Sequence, residues 1–273
     1  MTDTLVRVRE LAGWGLDEHE FRPKAVDNTK LTHGVQLAAN RSPFKQVNAF
    51  LVQETAQLHE ALLPHTTRTD LLDEMAGLSW SLGVVDMRPL IAFQRRLSFH
   101  PELPQIAAPH ARDWPALLAL SFGSTKPVEC EVIHDSSTHP LVLRSKNPNL
   151  QFRITDAAAF PLNIHTGSPF FEVACLRGRW FLRDGYHRAY ALLKAGVFEV
   201  PAVIVRAKTI EELGATRPWF FPEEVLFSKA PPRLLDFLND DLVLEYDRPP
   251  LIKTLRITIE EAFTLATSIG EQS

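Results

Sequence analysis

The sequence predicts an α+β protein, and three observations lead there. Short β-type apolar runs and stretches of helical period occur without strict alternation, which argues against a doubly wound parallel sheet. Across 273 residues, hydrophobic residues make up 45% and charged residues 23%, a balance that supports one sizeable core. Twenty prolines cluster in segments that interrupt the regular elements. Helices and central strands avoid interior proline because it lacks an amide donor and clashes with the preceding turn.

The charge balance narrows the function. Lysine plus arginine total 29 against 33 for aspartate plus glutamate, giving a net charge of -4 and a pI near 6.2. That is not the basic footprint of a nucleic-acid-binding chain, and a phosphate backbone would weakly repel this one. The start, Met1 to Glu10, alternates charged and aliphatic residues and does not read as a signal peptide, and no apolar run is long enough for a membrane span. Cys130 and Cys175 are expected to be reduced thiols of a cytoplasmic protein.

The elements follow in order. Residues 1–83 read as a helical extension. Val47, Phe50, Leu51, Leu58, Leu62 and Leu63 recur at helical spacing and predict a helix over 44–63, stopped by Pro64. Thr69-Asp70 opens a second short helix that ends near Gly77. The stretch from Thr69 to Leu82 mimics a helix-turn-helix, but it carries no basic recognition helix and reads as a hairpin packed on the core. Val84 to Arg88 reads as a strand and Phe93 to Arg96 as a loop. The segment with Pro101, Pro104, Pro109 and Pro115 is irregular. A helix is expected over Trp114–Phe122, then strands over Val128–His134, Leu141–Arg144 and Leu150–Ile154.

The clearest hairpin runs from Phe170 to Cys175, turns at Arg177-Gly178-Arg179 and returns through Trp180 to Leu182, with glycine at its tip. A helix over His187–Ala195 ends at Gly196, and Glu199–Val205 reads as a buried strand. Beyond it, Pro231-Pro232 is expected to start a helix through Leu234, Leu235 and Phe237.

One segment carries the chemistry. Asp184-Gly185-Tyr186-His187-Arg188 lies where a strand turns into a helix. Gly185 permits a backbone conformation closed to other residues, so the next amides converge at the positive end of the helix. His187 adds a titratable ring, and Arg188 adds a planar cation suited to phosphate. Asp184 is the natural cap or acid–base partner. The parts make an anion cradle of Gly185, Tyr186, His187 and Arg188, with His187 and Asp184 as candidate catalytic groups.

This run, followed by Ala191-Leu192, Gly196 and Val200-Pro201, resembles the signature of the ParB/sulfiredoxin-like superfamily. Upstream, Val85-Asp86 to Gln94-Arg95-Arg96 is similar to the first strand and loop of the same families. The resemblance spans 84–206 with an insertion at about 97–168, and leaves 207–273 as a proline-rich wrapping segment. It implies a mixed-sheet core, a nucleotide or other phosphorylated ligand at 184–188, and either phosphoryl transfer from a nucleoside triphosphate with Mg²⁺ or hydrolysis of that nucleotide. Gln94, Arg95 and Arg96 would lie near the ligand.

Several positions depart from the family pattern. Tyr186 stands where sulfiredoxins place their reactive cysteine. Gln94 stands where free-serine kinases place a glutamate base. Residues 207–273 lack the basic helical region of the partition proteins. The alternative of another class is a non-enzymatic regulatory or interaction protein; a DNA-binding or nuclease module is a third reading.

Other residues draw plainer readings. His165 to Ser168 form a loop that would contact substrate if its strand paired with that of 180–185. His134, Asp135 and His139 read as a loop, without a further ligand at zinc spacing. Pro218-Trp219-Phe220-Phe221-Pro222 reads as a plug over the core, or else as a partner-binding patch.

Overall fold

The computed structural model describes residues 5–23, 27–51, 56–124, 128–134, 141–147, 150–154, 162–165 and 167–258. The chain is α+β, and it divides into two compact units, Met1–Thr125 with Ser168–Pro250 and Lys126–Gly167 with Leu251–Ser273. Among the described residues, no helix is long and apolar enough to cross a membrane.

The first unit opens with β1 (Val6–Leu11), α1 (Asn28–Ala39), β2 (Phe50–Leu51), α2 (Ala56–Leu62) and α3 (Thr69–Glu74). The expectation of an all-helical amino end is therefore corrected. Every residue of β1 except Arg7 is buried, and β1 pairs along its whole length with a strand more than 230 residues away. The alternation of Val6-Arg7-Val8-Arg9 is the local trace of this strand, and its partner lies too far along the chain to be read from sequence. The helix expected over 44–63 is likewise cut down to α2, because Phe50 and Leu51 pair with Val85 and Val84.

Next come β3 (Trp80–Asp86), β4 (Ile91–Ala92), β5 (Arg96–Phe99) and α4 (Trp114–Ser121). A strand at Trp80 rules out a second helix for the helix-turn-helix reading. The proline-rich stretch between β5 and α4 is irregular, as expected, and Asp113 caps α4 by accepting from the Ala116 amide.

The second unit holds β6 (Glu131–His134), β7 (Leu141–Ser145), β8 (Gln151–Ile154) and β9 (Leu162–His165). The chain then returns to the first unit with β10 (Glu172–Leu176), β11 (Arg179–Asp184), α5 (Tyr186–Lys194) and β12 (Glu199–Arg206). Two short helices, α6 (Ile210–Leu213) and α7 (Glu223–Leu226), precede β13 (Val243–Arg248). The helix expected to start at Pro231 is a 3₁₀ turn over Leu234–Leu238, with both prolines outside it. Last, β14 (Lys253–Ile257) pairs with β7 in the sheet β14-β7-β6, so this part of the carboxy-terminal segment belongs to the second unit.

The sheet that positions the site has six strands in the order β2-β3-β12-β10-β11-β4. β12 runs parallel to β10 and antiparallel to β3, and six consecutive residues of it are buried, as a two-sided central strand requires. Pro201 is tolerated there for a reason visible in the register. The Val203 amide donates to Phe171 O, so alternation turns position 201 toward the same side, beyond the end of β10, where no ladder bond is missed. The β10–β11 turn has positive φ at both central residues, 49° at Arg177 and 77° at Gly178, as a two-residue turn between twisted strands demands.

Candidate functional site

The site is built by an irregularity in the β10–β11 ladder. Glu172 faces Asp184, but Val173 faces Leu182, so Arg183 is an extra residue on β11. The bulge sets Arg183 and Asp184 together against Glu172. Glu172 is 1% exposed; its carboxylate pairs with Arg183 and accepts from the Ser168 hydroxyl at 2.5 Å. Burial raises its pKa.

Gly185 then turns the chain into α5 with φ of +96°, as expected of a glycine at this corner. A Cβ at this position would lie 2.9 Å from Phe171 Cδ2. Asp184 accepts from the Gly185 amide at 2.5 Å and approaches the Arg188 guanidinium to 3.7 Å. Its carboxyl is pushed up to about 7, first by burial and then by the Glu172 charge, against the pull of Arg188. It keeps 39% of its side chain open to solvent.

The next three side chains turn inward. Tyr186 is buried; its hydroxyl donates to Leu182 O at 2.9 Å and accepts from the Phe93 and Gln94 amides at 3.0 and 3.2 Å. Burial raises the phenol pKa well above its usual range. His187 Nε2 lies 3.0 Å from Ser98 O, and its ring stands edge-on to Phe99. Burial lowers its pKa, and because a carbonyl oxygen only accepts, Nε2 carries the proton donated to it. Arg188 donates to Leu120 O at 3.1 Å, Pro169 O at 2.5 Å and Phe170 O at 2.6 Å.

These contacts correct the anion-cradle assignment for the side chains of Tyr186, His187 and Arg188. The guanidinium expected to grip phosphate instead ties α5 to the end of α4 and to the segment that leads into β10. The ring expected to transfer a proton is held by a backbone carbonyl. Asp184 keeps more of its side chain exposed than Arg188, 39% against 15%, while Glu172 beside it is buried. The imidazole and guanidinium expected to meet a phosphate are thus engaged by the chain's own carbonyls. Among the described residues, no group of three or more His, Cys, Asp or Glu is placed to hold a metal.

The upstream segment does reach the turn, though through its backbone. Tyr186 binds the amides of Phe93 and Gln94, and β4 runs parallel to β11. The Gln94 side chain folds back onto Arg96 O at 2.7 Å. Arg95 donates to Gly15 O at 3.0 Å and stacks 4.2 Å from the centroid of Phe221, while Arg96 joins Glu10, Asp17 and Glu20. Burial lowers the pKa of Arg95. Arg22, Arg248 and Tyr246 complete this buried network, so Arg95 and Arg96 are committed to structure.

His165 belongs to the second unit, in β9, whose partner is β8 rather than β11; its side chain lies outside the described residues. Asp135 and His139 also lie outside them. The aromatic run acts as the plug: Phe221 is buried and donates to Phe93 O, and Phe220 bridges to Gln94, while Trp219 is 41% exposed.

Two features escaped the sequence reading. Glu172 was invisible because only the bulge sets it beside Asp184. The buried network at Glu10 was invisible because it gathers residues from both ends of the first unit. Together the fold and the site define an α+β protein whose strand–glycine–helix turn is closed by its own side chains. No protein-family model, curated protein or solved structure matches the chain.

Proposed function

We propose that this chain is a non-enzymatic binding protein on a core of the ParB/sulfiredoxin-like kind, in which the Gly-x-His-Arg box holds the fold together. The observation that carries this reading is the Arg188 guanidinium, engaged by three main-chain carbonyls. The neighbouring phenol and imidazole, each bonded to backbone, support it. The likeness of the core rests on the box itself and on the approach of the 93–98 segment to it.

A second reading, nucleotide bound at 184–188, is favoured by one observation. The amides of the first turn of α5 have no side-chain cap, and such a terminus attracts anions. A thermal-shift panel with ATP, CTP and GTP, each with and without Mg²⁺, separates the two. A ligand of the native state raises the melting temperature by mass action. The binding-protein reading expects no rise that depends on Asp184. A rise that Asp184→Asn alters, in a variant with unchanged melting temperature when free, would establish the second reading instead.

A further inference from the structure

Away from the turn, the first unit has a cleft of about 440 Å³ whose lining contains three cations and no carboxylate. Arg41, Lys45 and Arg233 supply the charge, and Pro43, Phe44 and Pro231 supply apolar walls. The cations differ in their state. Arg41 is gripped by the buried carboxylate of Asp236 and lies 5.4 Å from the centroid of Trp14, so its orientation is fixed and its charge balanced. Lys45 and Arg233 take part in no ion pair among the described residues, which leaves the cleft with two uncompensated positive charges.

Bonds to main-chain carbonyls hold the segments that carry the walls. The Phe44 amide donates to Lys229 O at 2.7 Å, and Trp14 Nε1 donates to Ala230 O at the same distance. On the other side, the Leu234 amide donates to Leu90 O. A preformed, partly apolar cleft with a few convergent polar groups is the usual form of a small-molecule site, and its size lies within the customary range of ~300–1,000 Å³.

We infer that this cleft binds a compact organic anion, a carboxylate or phosphate carried on an apolar body, with Lys45 and Arg233 meeting the charge. The inference supplies a ligand class for the binding-protein reading, and the two fail separately, because the cleft and the turn are tested with different variants.

Isothermal titration with phenyl phosphate, benzoate, benzyl alcohol and inorganic phosphate tests it. At least one aryl anion is expected to bind with a dissociation constant of about 1 mM or tighter. Benzyl alcohol and inorganic phosphate, each lacking one half of the recognition, are expected to bind at least about tenfold more weakly. Tighter binding of phenyl phosphate assigns a phosphate ester, and tighter binding of benzoate assigns a carboxylate. Lys45→Gln with Arg233→Gln, at unchanged melting temperature, is expected to weaken binding by about a hundredfold, at roughly tenfold for each cation. Lys45→Gln alone, an exposed change, provides the same readout at about tenfold if the double variant fails to fold. The inference is overturned if neither aryl anion binds, if benzyl alcohol binds as well as they do, or if a folded variant binds like the parent.

Discussion

Arg188→Ala provides the sharpest test of the closed turn. The side chain is 15% exposed and is the donor to carbonyls at Leu120, Pro169 and Phe170, as well as a cation near Asp184. A charge-assisted hydrogen bond contributes about 1.5–3 kcal/mol, and removing one member of a buried charged set costs about 3–5 kcal/mol. The three bonds share one group and do not add independently, so the expected loss is about 3–5 kcal/mol. Arg188→Lys keeps the charge but not the planar fork, and is expected to lose about half as much. Urea unfolding followed by tryptophan fluorescence reads both. With a slope of about 2–3 kcal/mol/M, the alanine variant should lower the midpoint by roughly 1–2 M at unchanged slope. A midpoint change under about 0.3 M would show that the three carbonyls do not depend on this side chain, and the keystone role would be wrong.

Three further predictions concern the same turn. Tyr186→Phe leaves the Phe93 and Gln94 amides without their acceptor in a buried place, and chemical denaturation should show a loss of about 2–3 kcal/mol. Gly185→Ala imposes a side chain on a φ of +96° and against Phe171, and thermal melting should show a comparable loss of about 2–3 kcal/mol. For Asp184 the linkage sign is fixed by its raised pKa. The folded state holds the proton more tightly than the unfolded state, so stability is full below the ordinary carboxyl pKa of 3.8 and falls as pH rises through about 7. Asp184→Asn should flatten the stability profile across that window, and an unchanged slope between those limits would refute the raised pKa.

The sequence alone determined the elements whose causes are local. Glycine at positions 178, 185 and 196 sits where φ is positive in all three cases, so the hairpin, the entry to α5 and its exit were legible from residue type. The apolar run of β12, the proline-rich irregular stretch and the start of α4 were legible for the same reason. Where the cause was distant, the reading failed. β1 falls within the stretch read as a helical extension although its residues alternate, and its partner, β13, lies at the other end of the first unit. Arg188 looked like a phosphate ligand because its type and position suit one, while its actual acceptors lie 18 to 68 positions away. A turn's backbone geometry is set by the few residues that make it. The direction of a long charged side chain is set by whichever acceptors the tertiary structure leaves unsatisfied within its reach, and that is decided only when strands and helices from remote parts of the chain are packed together.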